Sequence, residues 1–428
     1  MTEFRTPNSA LRIHFAVLCP EASGHFNPMT TLLAELGHRG HDVTWIGTVD
    51  GVELARERGL RGVAIGADVF PAGTLPEQLA EIGELSGLKA VRRTIEGYRQ
   101  GMRIILDEAP QAIRDSGATA LIADESIFAA RTVAQLVQLP WVTVCNALPF
   151  HPDLDHPPVF PAWQYRRGWS ARLRNRIGRL PAQVLLRPIR REIVTTRRRH
   201  GLGSYDLAWE NPSERATLAQ LPAEFDYPRR DKPAWFHYVG GLHDIKARPP
   251  VEFPFDRLDD RPLIYASLGT VQNRLLPLFR TIAESCCGLP AQLVISLGRG
   301  SKPNDMGPLP GNPLLVEFAP QLELIRRAKL VITHAGMNTT AEAIAQGVPM
   351  VAIPITNDQP SVAARIAWSG CGRVIPLRKV TVKRLAAAVR EVLGADRYTL
   401  RAHDLAEANR QAGGVPRAAD IIERAVTC

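Results

Sequence analysis

The sequence predicts an α/β protein of two similar domains, each built on a parallel sheet, and three observations carry that reading. Both halves of the 428-residue chain open with a short apolar run, a loop, a helical segment and a second apolar run. That is the βαβ unit, whose crossover is right-handed. A Pro-rich, charged stretch at residues 228–260 lies between the halves, and linkers have this composition. Several apolar runs end in His, Asp or Asp-Gln, at the strand ends where open parallel sheets bind ligands. The expected division is a first domain over 1–227, a linker over 228–260 and a second domain over 261–428.

In the first half "LRIHFAVLCP" is a strand, "EASGHFNPMTTLLAELGHRG" a loop running into a helix, and "HDVTWIGT" the next strand. "ATALIADES" and "PWVTVCNAL" are further strands on either side of the helical "IFAARTVAQLVQL". Gly24 and His25 fall at the end of the first strand. An imidazole there, with an ordinary pKa of about 6.5, is placed to act as a base; capping of the following helix is the other reading. Asp124 ends "ALIAD". It is placed either to orient an imidazole and stabilise its protonated form, or to cap the helix expected near Ile127.

In the second half "PLIYASLGT" is a strand ending at Gly269 and Thr270, whose N–H and hydroxyl suit a phosphate. "LLPLFRTIAESCCGL" follows as a helix, then the strands "AQLVISLG" and "PLLVEFAPQ". Phe318 and Gln321 lie after the last of these, where an aromatic face can stack on a base. "KLVIT" is a buried strand, "NTTAEAIAQ" a helix stopped by Gly347-Val348-Pro349, and "MVAIPI" a strand ending at Asn357, Asp358 and Gln359. A helix start offers unpaired N–H groups to an anion, and Gly336 lets a ligand approach the backbone. A capping box of Thr339 and Glu342 is the local alternative, but it leaves His334 and the Asp358-Gln359 pair unexplained. Glu342, one turn beyond Asn338, can accept from ribose hydroxyls, and Asp358 with Gln359 can read those of a sugar. The C-terminal "RAHDLAEANRQAGGVPRAADIIERAV" reads as helix, with a crossing back to the first domain as its expected course.

Composition excludes several classes. With 45% apolar and 22% charged residues the chain is globular rather than disordered. Its N-terminus lacks a secretory apolar core, and no uncharged run is long enough to cross a bilayer. The six cysteines show neither C-x-x-C nor zinc-type spacing, so reduced, mostly buried thiols in a cytoplasmic protein are expected. "PEASGHFNP" is not a dinucleotide fingerprint, and no Gly-Lys pair exists to make a Walker A loop. No His, Cys and carboxylate cluster has metal-ligand spacing. The expectation is therefore a group transfer from a phosphate leaving group to a hydroxyl without a metal, the charge being met by the helix start, His334 and hydroxyls.

The net charge of +9 is unevenly placed: Arg166 to Arg199 holds twelve arginines against one acid, Glu192, a local +11 that leaves about −2 elsewhere. Apolar residues such as Trp169, Ile177, Leu180, Val184 and Leu185 are interspersed. The segment reads either as a solvated surface helix or as a peripheral contact with anionic lipid at the inner face of the membrane. No nucleic-acid module accompanies the charge. Residues 150–165, with Phe160 and Trp163, line an acceptor or pack in a core.

"FAPQ", "HAGMNTTAEAIAQGVP" and "NDQP" resemble, in order and spacing, the donor signature of the UDP-glycosyltransferases, enzymes of the GT-B fold with two Rossmann-like domains facing across a cleft. "GHFNP" and "LIAD" resemble that family's catalytic segments. "YASLGTVQNRLLPLFRTI", "THAGMNTTAEAI", "DQPSVAARI", "CNALPF" and "LPAEFDYPRR" are similar to bacterial zeaxanthin glucosyltransferases. The resemblance implies inverting transfer of glucose from UDP-glucose to an acceptor hydroxyl, with His25 as base and Asp124 its partner. It implies Phe318 under the uracil, Gln321 and Glu342 near the ribose, His334, Asn338, Thr339 and Thr270 at the diphosphate, and Asp358 with Gln359 at the glucose. Met337 stands where plant enzymes carry Trp, Phe318 where Trp is common, and Ser361 where the carotenoid enzymes often carry Gly. The acceptor reads as a carotenoid such as zeaxanthin, or a soluble aglycone such as a macrolide or flavonoid. A sugar-nucleotide epimerase or hydrolase, and a non-catalytic partner protein, are the readings outside this class.

Overall fold

A computed structural model of the chain describes residues 12–75, 77–78, 81, 87–150, 153–204, 212–244, 248, 250–269, 275–298 and 301–427. The first sheet contains β1 (His14–Leu18), β2 (Asp42–Gly47), β3 (Arg61–Ala64), β4 (Ala120–Asp124), β5 (Trp141–Cys145), β6 (Thr217–Ala219) and β7 (Phe236–Tyr238). All pairings are parallel and the order is β3-β2-β1-β4-β5-β6-β7. The second sheet contains β8 (Leu263–Ser267), β9 (Gln292–Ser296), β10 (Leu314–Val316), β11 (Ala328–Thr333), β12 (Met350–Ala352) and β13 (Gly372–Val374). It too is parallel throughout, in the order β10-β9-β8-β11-β12-β13.

Both orders are doubly wound. Each sheet therefore has a switch point, between β1 and β4 in the first and between β8 and β11 in the second, where neighbouring crossovers diverge and leave a crevice. The strands are continuous apolar runs because helices cover both faces. Phe15, Val17 and Ile122 pack on one side of the first sheet with Met29, Leu32 and Leu33, while Ala16, Leu18 and Leu121 pack on the other with Ala109 and Ile113.

β7 falls inside the stretch 228–260 expected as linker and forms the edge of the first sheet, paired Thr217↔Phe236 to Ala219↔Tyr238. Three residues between Pro233 and Gly240 carry no readable alternation, and pairing with β6 alone defines them. The two domains share a core in which Cys145, Leu148, Leu221 and Phe225 pack with Met337, Ala341 and Val362. Across it, Arg365 Nε donates to Asp226 Oδ1 at 2.8 Å, both groups buried. The helix Gly414–Thr427 lies on the first domain: Ala418, Ile421 and Ile422 join the core around Phe15, and Arg39 reaches Asp420 at 2.7 Å and Glu423 at 3.2 Å. Of the cysteines, Cys19, Cys145, Cys286 and Cys371 are buried free thiols and Cys287 is exposed.

Candidate active site

His25 and Asp124 meet at the first switch point. His25 sits in the first turn of the helix Ser23–His38 rather than in a loop, its N–H bonded to Ala22 O at 2.8 Å. Asp124 is the last residue of β4, the direct neighbour of β1. His25 Nδ1 donates to Asp124 Oδ2 at 2.9 Å. Asp124 is 1% exposed, and its other oxygen, Oδ1, accepts from Ser126 N–H at 2.8 Å and from the Ser126 hydroxyl. The orienting geometry is present, but Asp124 does not cap a helix: the helix expected near Ile127 runs over Ala130–Val137 with Ala129 as its N-cap, and Oδ1 instead closes a local turn on Ser126.

The pair's electrostatics follow from this geometry. Burial pushes the His25 pKa down, but the charge and hydrogen bond of Asp124 more than offset it, and the net shift is upward from 6.5. Burial alone would raise Asp124; His25 and Ser126 hold it below its ordinary value, so it stays ionised. A carboxylate that only accepts fixes the imidazole proton on Nδ1, leaving Nε2 with a lone pair.

Around Asp124 a polar chain crosses to the second domain. Asn146, one residue past β5, donates from Nδ2 to Asp124 Oδ2 at 2.7 Å. Gln220, one residue past β6, donates to the Asn146 carbonyl and to Asn338 Oδ1, the latter at 3.2 Å. Asn338 in turn donates from Nδ2 to Gly24 O at 2.9 Å. The chain therefore returns to the residue before His25. Asn146 and Gln220 are each 2% exposed. The sequence reading missed Ser126, Asn146 and Gln220, although Asn146 carries the strand-end signal that identified Asp124.

The second switch point lies across the cleft. Gly269 follows β8 and His334 follows β11, and the His334 ring occupies the space between two glycines. A Cβ on Gly269 would meet His334 Nε2 at 2.7 Å, and one on Gly336 would meet it at 2.5 Å. Gly269 also has φ +83°, which a side chain would strain. Burial pushes His334 down to about 4, so it is neutral near pH 7, and its Nδ1 has no hydrogen-bond partner among the described residues. Thr270 lies outside the described residues.

Gly336 caps the helix Met337–Ala345, whose first N–H groups have no preceding carbonyl partner and whose first turn holds no acid. The capping box does not form. Thr339 lies inside the helix, where its hydroxyl accepts from Gln321 Nε2 at 3.3 Å, and Glu342 points away from the cap. Glu342, 1% exposed, accepts from Gln321 Nε2 at 2.7 Å and pairs with Arg248, a partner the sequence reading did not foresee. Gln321 Oε1 accepts from the Tyr265 hydroxyl at 3.2 Å, so Gln321, Thr339 and Glu342 form one cluster. Phe318, after β10, is 41% exposed and open to stacking. Met337 is buried in the shared core and presents no face to a sugar.

Asp358 and Gln359 begin the helix Gln359–Ser369. Burial raises the Asp358 pKa above its ordinary value, and the charge of His25 offsets part of that rise. Gln359 turns its amide oxygen inward, accepting from Ile355 N–H and Thr356 N–H at 2.9 Å each, so only its Nε2 remains to read a hydroxyl. Trp163, offered as an acceptor contact, packs over Gly178 and under Arg174 instead, while Phe160 is exposed.

A family model described as "UDP-glucoronosyl and UDP-glucosyl transferase" matches residues 210–411. The zeaxanthin glucosyltransferase of Pantoea ananas is 32% identical over 96% of this chain and 95% of its own length. That of Pseudescherichia vulneris is 31% identical over 96% and 98%. A solved structure of the glycotransferase of kitacinnamycin, 23% identical, superposes with a TM-score of 0.75 over 97% of this chain and all of its own. Full-length identity to sugar-transferring relatives, together with two doubly wound domains facing across one cleft, places the chain in the UDP-glycosyltransferase family on the GT-B fold.

Proposed function

We propose that this chain moves glucose from UDP-glucose to a hydroxyl of a carotenoid such as zeaxanthin, with inversion, giving a β-glucoside. The observation that carries the chemistry is the His25 Nδ1–Asp124 hydrogen bond at 2.9 Å, which leaves Nε2 as the free base. In this reading the acceptor O–H gives its proton to Nε2 while its oxygen attacks the anomeric carbon from the face opposite the diphosphate. The bond from that carbon to the diphosphate oxygen breaks, and UDP leaves with the electron pair. Asp124 stabilises the imidazolium that results.

The N–H groups at the start of the helix Met337–Ala345, with Asn338 and neutral His334, would meet the leaving charge without a metal. Phe318 would stack on the uracil and the Gln321–Glu342 cluster would take the ribose, with Arg248 giving way. Asp358 and the Gln359 amide would hold the glucose. The carotenoid acceptor rests on the two relatives named as zeaxanthin glucosyltransferases and on their near-complete overlap with this chain.

The test is UDP-glucose with zeaxanthin dispersed in detergent, beside His25→Ala. A more polar pigment of monoglucoside mass, lost in the variant, is the expected result, and chelator should not change its rate. UDP release with soluble phenols or macrolides but no pigment conversion would move the acceptor to a soluble aglycone.

A further inference from the structure

The helix Trp169–Leu185 is amphipathic in the inverted sense. Trp169, Leu173, Ile177, Leu180 and Val184 are 79%, 50%, 55%, 53% and 51% exposed. At about 100° per residue they fall within an arc of roughly 80°, a single stripe along the helix. The opposite side carries the small or polar Ala171 and Asn175, which are the buried residues of this helix, and Gly178, whose missing Cβ makes room for the Trp163 ring. Asn175 fixes that side, donating to Leu154 O at 3.1 Å and accepting from Arg174 at 2.9 Å. A solvated surface helix would turn the stripe inward. This one is pinned with the stripe facing out.

We infer that this stripe seats in the headgroup region of an anionic bilayer. Exposed arginines surround it: Arg166 and Arg167 just before the helix, Arg176 beside Ile177, and Arg187, Arg190 and Arg191 just after. An apolar ridge with a tryptophan at one end, framed by cations, matches acyl boundary and anionic headgroups together. A second copy of the chain would bring these arginines against one another, so like charge opposes self-association through this face.

The surface is narrower than the whole of Arg166 to Arg199. In the following helix, Arg187–Arg199, Ile189 and Ile193 lie in the core and Arg197 is buried, donating to Thr132 at 3.2 Å, Gln135 at 2.7 Å and the Gly203 carbonyl at 2.9 Å. That helix holds the docking helix to the domain. The inference rests on the carotenoid reading and deepens it. The segment that leads to the docking helix starts at Asn146, which donates to Asp124, so the docking helix belongs to the same domain as His25 and Asp124.

The experiment is flotation of the full chain with vesicles of phosphatidylglycerol and phosphatidylcholine, against phosphatidylcholine alone, for wild type, Ile177→Glu/Leu180→Glu and Arg166→Gln/Arg167→Gln/Arg176→Gln. Wild type should bind the anionic vesicles, salt should weaken binding, and each variant should lower the partition coefficient by about tenfold or more. Unchanged melting temperature and unchanged glucosylation of detergent-dispersed pigment should accompany the loss. Equal vesicle binding by wild type and variants would overturn the inference. So would a wild-type dimer that the Glu substitutions dissolve without any vesicle binding. Vesicle binding without pigment conversion would instead overturn the carotenoid acceptor and leave the docking surface standing.

Discussion

Replacing Asp124 by Asn changes one atom and, by the surrounding geometry, should reverse the imidazole beside it. Oδ1 accepts from Ser126 backbone N–H at 2.8 Å, a donor that cannot turn away. Oδ2 accepts from His25 and from Asn146 Nδ2 at 2.7 Å, and both of these can adapt. Asn146 can flip, because its Oδ1 has no partner among the described residues and would gain one. His25 can move its proton to Nε2. An unsatisfied buried donor costs about 1–3 kcal/mol, so the amide oxygen stays toward Ser126 and the new NH2 faces His25. The base then carries its proton on the nitrogen that should receive one. A positioned base contributes about 10²–10⁴-fold, and a wrong tautomer forfeits most of it.

We expect kcat to fall about 10³-fold, or ~4 kcal/mol at 1.36 kcal/mol per decade, with the fold and the donor KM little changed. The pH profile supplies the second readout. The proposed mechanism needs neutral His25, so wild-type kcat/KM should rise with pH through a midpoint above 6.5, the direction of its shift. Without the carboxylate, burial is the dominant remaining cause and the midpoint should move to lower pH. Steady-state UDP release against pH, with melting curves for both proteins, measures all of this. A variant that keeps more than a tenth of wild-type kcat with an unmoved acid limb would refute the dyad.

Three further outcomes follow from single groups. Gly336→Ala puts a Cβ 2.5 Å from His334 Nε2 and must displace the ring, so the KM for UDP-glucose should rise about tenfold with kcat changed less. Gln220→Leu strands the Asn146 carbonyl and Asn338 Oδ1, which should cost about 1–3 kcal/mol in denaturant unfolding and raise the donor KM; a silent variant would show that the cross-cleft chain is incidental. Glu125, 4% exposed, has its pKa raised by burial to about 7, so the folded state holds its proton more tightly than the unfolded one. Stability should therefore fall as pH rises from about 4.5 to 7, by up to ~3 kcal/mol, and Glu125→Gln should flatten that slope in urea midpoints measured at both ends.

What the sequence determined by itself is what local pattern encodes. Five- and six-residue buried strands such as β1, β4, β8 and β11 are continuous apolar runs, and a polar residue at the end of such a run is conspicuous. His25, Asp124 and His334 were legible for that reason. β6 and β7, three residues each, have no period to read, and pairing with a neighbour defined them. The cross-cleft chain joins Gly24, Asp124, Asn146, Gln220 and Asn338 over more than 300 positions, a proximity that only the packing of two domains creates. Tertiary structure also decided which partners polar groups keep: Glu342 takes Arg248 and Gln321, and Gln359 takes the strand-end N–H groups of Ile355 and Thr356. The helix Trp169–Leu185 shows the limit most plainly. Its apolar spacing fixes a stripe, but whether a stripe faces in or out depends on what lies behind the other side. Here Ala171, Asn175 and Gly178 admit a close approach there that the stripe's larger side chains would block.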